Sequence, residues 1–288
     1  MRPYLIPGLL AIVLIAGCVG SAGQDMGIQS VFKIDIIRGG TEDITVQAEI
    51  PEFARAERKF DLTFMLTPAQ EISNLSMNVF DRSSCPFING TKDSWDVSTI
   101  KGNHTTKFST NYTVGKIDFE KDCTIKFKAT YSSNSSAGTT VAVLDESDYM
   151  ERERTGKLGE IPINSWNSVS PLRITIRGLD KPLIDNQRAD MHIDYSNTGA
   201  GNIEALEIGS VIINLPGNLL SPDCDDYSQT AEGLVLKRRL EFTSGQAKSS
   251  SCTFIAKAWL PIDSRPLGVS AAYTYQLLQQ VVIKVRPV

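Results

Sequence analysis

Histidine is almost missing from this 288-residue chain, which holds only His104 and His192. That leaves few general bases, and neither histidine accompanies a Gly-x-Ser-x-Gly elbow or another nucleophile motif. There is no Cys-x-x-Cys and no paired histidine of the kind zinc requires. No glycine-rich loop is shaped to cradle a phosphate, and no long basic run offers a nucleic-acid surface. The net charge of −4 is mild. These absences argue against an enzyme, a cofactor, a metal centre or a nucleic-acid partner.

Two acidic clusters are the exceptions to test. Asp190, His192 and Asp194 alternate along one strand face, but residues two apart in a strand are roughly 6.6 Å apart. Zinc holds its ligand atoms at about 2 Å, so that spacing is awkward. Asp223, Asp225 and Asp226 surround Cys224 without the periodic ligand spacing of a calcium loop. Both clusters read as solvated polar surface.

Long apolar runs are scarce too, and the main one lies at the start. Arg2 is followed by an uncharged stretch from Pro3 to Gln24 centred on Leu9-Leu10-Ala11-Ile12-Val13-Leu14-Ile15, the pattern of an export signal. Its strongly apolar part is about 15 residues, short of the ~20 that span a bilayer. Ile15-Ala16-Gly17-Cys18 resembles the lipobox of prokaryotic lipoproteins. The resemblance implies that residues 1–18 form a lipoprotein signal, that Cys18 is acylated, and that the chain is held on the extracellular face of the cell membrane. An uncleaved membrane helix and an ordinary cleaved signal are the alternatives. Residues 19–30, rich in glycine, read as a flexible tether.

Four cysteines remain: Cys85, Cys123, Cys224 and Cys252. In an exported chain an even set implies disulfides, and spacing alone allows three pairings. An internal echo selects one. Ile34-Asp35-Ile36-Ile37-Arg38-Gly39 matches Arg173-Ile174-Thr175-Ile176-Arg177-Gly178, and Asp122-Cys123-Thr124 to Tyr131 matches Ser251-Cys252-Thr253 to Leu260. The order of features predicts Cys85–Cys123 and Cys224–Cys252, each worth roughly 3–4 kcal/mol by loop entropy.

Short alternating runs between turn signals make the chain all-β. Phe60, Leu62, Phe64 and Leu66 share one face, as do Ile125, Phe127, Ala129 and Tyr131. The expected strands include 72–80, 106–114, 123–131, 139–144, 252–260, 268–276 and 280–286. The expected architecture is two tandem immunoglobulin-like antiparallel β-sandwiches, residues 31–144 and 166–288, joined by a charged linker at 145–165. The stretch from His192 to Glu204, with Asn197-Thr198-Gly199-Ala200-Gly201, resembles the turn of adhesion-related, CARDB-like immunoglobulin-like modules of prokaryotic surface proteins.

Five of the six asparagines from Asn74 to Asn134 lie in Asn-x-Ser/Thr: Asn74, Asn89, Asn103, Asn111 and Asn134. The second half has none. Such sites are glycan acceptors in exported chains, and with a lipobox they fit an archaeal surface glycoprotein. On the strand of Cys252, the alternation points Phe254, Ala256, Ala258 and Leu260 inward. It points Thr253, Ile255, Lys257 and Trp259 outward, so Ile255 and Trp259 form a candidate contact patch. The functional expectation is non-catalytic adhesion or cell-envelope scaffolding through the outer sandwich, with a surface protein or polysaccharide as partner. Two alternatives are a substrate-capturing lipoprotein of a transport system and a filament subunit assembled by strand donation.

Overall fold

The computed structural model describes residues 31–37, as a strand path, then 44–247 and 249–288. Cys18, the signal segment and the tether lie outside the described residues. No helix among the described residues is long and apolar enough to cross a membrane.

The described residues are all-β apart from one helix and a single 3-10 turn. Its opening strands are β1 (Val31–Ile37), β2 (Ile44–Pro51), β3 (Phe53–Arg55), β4 (Lys59–Pro68) and β5 (Ile72–Asp81). Then come β6 (Ile88–Gly90), β7 (Ser94–Ile100), β8 (Thr106–Val114) and β9 (Lys121–Leu144). After the helix α1 (Glu146–Thr155) follow β10 (Ser165–Asn167), β11 (Leu172–Arg177), β12 (Leu183–Ile184) and β13 (Arg188–Asn197). The remainder are β14 (Asn202–Ile203), β15 (Ala205–Leu206), β16 (Val211–Asn214), β17 (Leu219–Cys224) and β18 (Tyr227–Thr230). Last are β19 (Gly233–Leu236), β20 (Leu240–Thr243), β21 (Gln246–Ala247), β22 (Ser250–Ala256) and β23 (Ile262–Arg286).

These strands make three sheets. One outer sheet runs β1-β2-β4-β8-β6, and another runs β15-β20-β21-β13-β22-β17 with β11 beside β13. Between them in chain logic, and beneath both in space, lies a central sheet of order β18-β19-β16-β23-β9-β5-β7. Its spine is a ribbon. β9 and β23 pair antiparallel without interruption from Ile262↔Leu144 to Val285↔Lys121. The 24 residues of β9 extend roughly 80 Å at ~3.3 Å per residue.

Pleating puts both outer sheets on one side of this ribbon. The odd-numbered residues of β9, from Cys123 through Phe127 and Tyr131 to Val143, are all buried. At the lower end Phe127 meets Phe64 of β4 with ring centroids 4.5 Å apart. Further up the same face, Ser135 Oγ donates to the carbonyl of Leu172 in β11 at 2.6 Å. At the waist Tyr131 and Tyr275 pack edge to face at 5.7 Å. One apolar core runs through both lobes.

The ribbon is where the structure departs most from the expected strands. Residues 123–131 and 139–144 were expected as separate strands around Asn134-Ser135-Ser136-Ala137-Gly138, whose residue types have weak strand preference. Pairing overrides that preference, because β9 is bonded on both flanks: β23 on one side, β5 and β10 on the other. Gly138 faces Gly268 across the ribbon and Trp166 of β10 on the other side. A Cβ at Gly138 would lie 2.6 Å from the Trp166 indole nitrogen, so the small residue makes room for the ring.

The segment 145–165 is also more than a spacer. Asp145 caps α1 by accepting from the Ser147 amide at 2.9 Å, and Gly156 ends it in the left-handed region. The turn that follows brings Ile161 onto Ala142 and Leu144, with Tyr149 alongside, covering the top of the ribbon's outer face. The segment divides the chain but not the sheet: residues 277–285 of β23 complete the lower lobe by pairing with 121–129.

The two ends of the ribbon differ. Val31 pairs with Pro51, and β3, just beyond, pairs with Lys284–Arg286. Val31, the first described residue, therefore lies at the foot. Leu144, Ile262 and α1 mark the opposite tip.

Candidate functional site

The patch expected on the Cys252 strand takes a different form. Cys252, Phe254 and Ala256 are buried as the alternation predicts, but the strand stops at Ala256. The Asp185 carboxylate accepts from the Ala258 amide at 2.8 Å, and the Asp263 carboxylate accepts from the Trp259 amide at 3.3 Å. These bonds pull the backbone out of the sheet. Trp259 and Leu260 consequently stand 60% and 63% exposed at the tip, and Leu260 does not point inward. Ile255 stays in the sheet, half-buried between Arg188 of β13 and Leu220 of β17. The patch is thus a tip centred on Trp259 rather than a row shared with Ile255.

The Trp259 indole N–H donates to the Gly217 carbonyl at 3.3 Å, which fixes the ring's edge. Lys257 Nζ lies 6.0 Å from the ring centroid and 3.3 Å from Asp185. The Ala258 amide, helped by Lys257, holds the Asp185 carboxyl below the usual carboxylate range. Asp145 is also held low, first by the Ser147 hydroxyl and then by its amide. With Asp148, Leu260 and Pro261 these residues line an open depression of about 480 Å³. Its polar groups are engaged locally: the Ser147 hydroxyl donates to the Asp145 carboxylate at 2.6 Å, and the Asp185 carboxylate accepts from the Ala258 amide. Asp185 and Asp263 went unnoticed in the sequence. Their signals were the Asp185-Asn186 turn and the Pro261-Ile262-Asp263 break, both typical of side chains that bond nearby backbone.

Both disulfides are present: Cys85–Cys123, with Cα atoms 5.5 Å apart, and Cys224–Cys252, at 4.3 Å. All five sequon asparagines are exposed. Asn74 and Asn103 adopt left-handed backbone angles (φ 53° and 60°), which asparagine tolerates better than most residues. The acidic clusters are spoken for. Asp190 accepts from the Thr253 hydroxyl at 2.7 Å, and Asp194 pairs with Arg177 at 2.6 Å. Asp226 is buried and ion-paired with Arg238, while Asp223 and Asp225 are exposed. Among the described residues no group of three His, Cys, Asp or Glu is placed to hold a metal. His104 is exposed, with its ring bonded to the nearby Gly102 carbonyl at 3.1 Å; His192 is exposed on β13.

The turn after β13 explains its own sequence. The Asn197 side chain accepts from the Gly199 amide (3.1 Å) and donates to the Gly201 carbonyl (2.8 Å). The Gly201 amide donates to the Tyr275 hydroxyl at 2.6 Å, and a Cβ there would sit 2.7 Å from that ring.

No protein-family model and no curated protein matches the chain. Among solved structures, a Porphyromonas gingivalis W83 protein of unknown function shares 11% identity over 74% of this chain and 83% of its own, with a TM-score of 0.23. Escherichia coli alpha-2-macroglobulin activated by porcine elastase shares 10% over 85% of this chain and 33% of its own, at 0.24. The secreted serine protease VesC of Vibrio cholerae shares 9% over 78% and 49%, at 0.20. Scores this low carry no statement about fold or function.

Proposed function

We propose that this chain is a non-catalytic surface lipoprotein of archaeal type, anchored through Cys18 on the extracellular face of the membrane, and that it acts in adhesion or envelope scaffolding. Its two lobes serve as tandem immunoglobulin-like, CARDB-like sandwiches. Its lower lobe is the glycosylated one, through Asn74, Asn89, Asn103, Asn111 and Asn134. The observation that carries this reading is the ribbon. One pair of strands runs from the foot, where Val31 lies, to the tip bearing Trp259. A rod of this kind holds an exposed aromatic away from the membrane without a hinge between lobes. Aromatic side chains are enriched where proteins meet partners. Two disulfides accord with an oxidising exterior.

The test uses the full-length protein displayed on cells, because neither lobe has its complete sheet when the chain is cut between them. Trp259→Ala at an unchanged surface level is expected to abolish capture of the surface protein or polysaccharide that the wild type retains. Equal capture by both would remove the tip from the proposal. Cys18→Ser is expected to release the protein into the medium, and continued membrane attachment would sink the lipid anchor.

A further inference from the structure

The outer face of the ribbon at the waist is not covered by a sheet, and polar side chains are frequent on it. It carries a depression of about 490 Å³ whose lining includes Thr130, Ser132, Thr274, Gln276, Asn202 and Glu204. A second depression of about 280 Å³, lined by Gln70, Asn134, Ser136 and Ser270 among others, shares Ala272 with the first. Together they form one groove. The larger part falls within the roughly 300–1,000 Å³ typical of small-ligand pockets, yet such pockets are predominantly apolar and aromatic. This one adds hydroxyls, amides and the two carboxylates of Glu204 and Glu207, both ion-paired with Arg239, to its apolar wall. Hydroxyls and amides each both donate and accept, which matches the chemistry of a sugar ring and suits an apolar ligand poorly.

Two of the five sequons converge on the groove. Asn134 lies in its wall, opposite Ala272 across the ribbon. Asn74 is lifted out of β5 at a bulge, between the pairs Ser73↔Ser132 and Ser76↔Thr130. Its amide reaches the hydroxyl of Ser132, which lines the larger depression, at 3.5 Å. Asn134 is also held in place. Gln70 Nε2 donates to its carbonyl at 2.9 Å and to Ser133 Oγ at 3.1 Å, fixing the backbone from which a glycan would start. Thr274 is a diagonal neighbour of Asn134 across the strand pair, roughly 7–8 Å away.

We infer that the groove is the seat of the chain's own N-linked glycan at Asn134, which lies along the ribbon over Thr274 and Gln276 instead of extending into solvent. The inference rests on the sequons being used, as proposed above. The consequence is a sealed back to the waist.

The test introduces a thiol at Thr274→Cys in the full chain made by an N-glycosylating archaeal host, and compares its alkylation rate with and without Asn134→Gln. Gln280→Cys, lower on the same face and outside the groove, is the reference. A seated ligand buries roughly 70–90% of its surface, so the thiol at position 274 should react about three- to tenfold more slowly when the glycan is present. The reference rate should not change. Glycopeptide mass spectrometry reads occupancy in the same samples. An occupied Asn134 with equal rates at position 274 overturns the seat and leaves the sequon reading intact. Slowing that persists in Asn134→Gln overturns it as well, by giving the groove another occupant. Glycan at the other sequons but not at Asn134 overturns the seat alone, and glycan at none of the five overturns both.

Discussion

Cys85–Cys123 and Cys224–Cys252 sit in different kinds of place. The first fastens the crossover between β5 and β6 to the foot of the ribbon, where Ser84 Oγ also donates to the Thr124 carbonyl at 3.1 Å. The second joins residues directly opposite each other in neighbouring strands of one outer sheet. One bridge holds a loop against the spine of the whole molecule, and the other staples a pair of strands that already share a ladder. Lower and upper lobes therefore depend on the ribbon unequally. The lower lobe is closed onto it by a disulfide, and the upper lobe by packing and hydrogen bonds such as that from Ser135 Oγ to the Leu172 carbonyl.

That contrast can be broken in several ways. Phe127 of the ribbon and Phe254 of the upper outer sheet are both fully buried, and each change to alanine should cost about 3–5 kcal/mol. Only Phe127→Ala is expected to lower amide protection in both lobes. Hydrogen exchange showing an untouched upper lobe would mean the ribbon does not couple them. Next come the bridges. Replacing either pair by alanine should lower stability by roughly 3–4 kcal/mol, read from urea midpoints. A markedly smaller loss for Cys224–Cys252 would show that its ladder already supplies the restraint.

At the waist, Tyr275→Phe removes the hydroxyl that accepts from the Gly201 amide. Leaving this half-buried donor unpaired should cost about 1 kcal/mol, the low end for an unsatisfied group, and an unchanged melting temperature would mean the turn finds another acceptor. Alkaline pH separates the lobes more gently. Burial raises the phenol of Tyr112 to about 12, and raises Tyr195 and Tyr227 in the upper lobe. A phenol whose folded-state pKa is raised keeps its proton in the fold after the unfolded chain has lost it. Their contribution to stability is then flat below pH 10 and falls as the pH rises above it, for Tyr112 between about pH 10 and 12, by up to ~1.4 kcal/mol per pH unit. Tyr112→Phe should flatten that fall, and an identical alkaline slope in the variant would refute the assignment. The smallest effect is expected from Trp259→Ala, within about 0.5 kcal/mol as for exposed positions generally. A larger loss in calorimetry would make the tip a structural prop.

Much of the fold was legible from alternation. Phe60, Leu62, Phe64 and Leu66 are all buried, as are Ile125, Phe127, Ala129 and Tyr131, because a period of two leaves little freedom where one face is covered. The internal echo was half true. Its early members, β1 and β11, both lie at the margin of an outer sheet beside its next strand, β2 and β13. Its cysteine strands do not correspond: Cys123 heads the central ribbon, while Cys252 lies in an outer sheet. The expected cysteine pairs are nevertheless the ones present, since each bridge joins segments brought together locally. Continuity through Asn134–Gly138 was hidden, because what sustains it is pairing with residues far along the chain. The tip was misread for the opposite reason: a side-chain carboxylate from Asp185, distant in sequence, ends a strand that the local pattern continues.

The ribbon also sets a timetable. The lower lobe's sheet is finished by residues 277–285, which leave the ribosome long after the β9 segment they must meet. Domains commonly fold from the amino end as they emerge. Here the earlier half must wait, open along the edge of β9, until the last strand arrives. Pairings so distant in sequence also make for slow folding. A chain that stays unfinished this long carries an unpaired strand edge throughout its synthesis, a template for wrong partners until the last strand closes it.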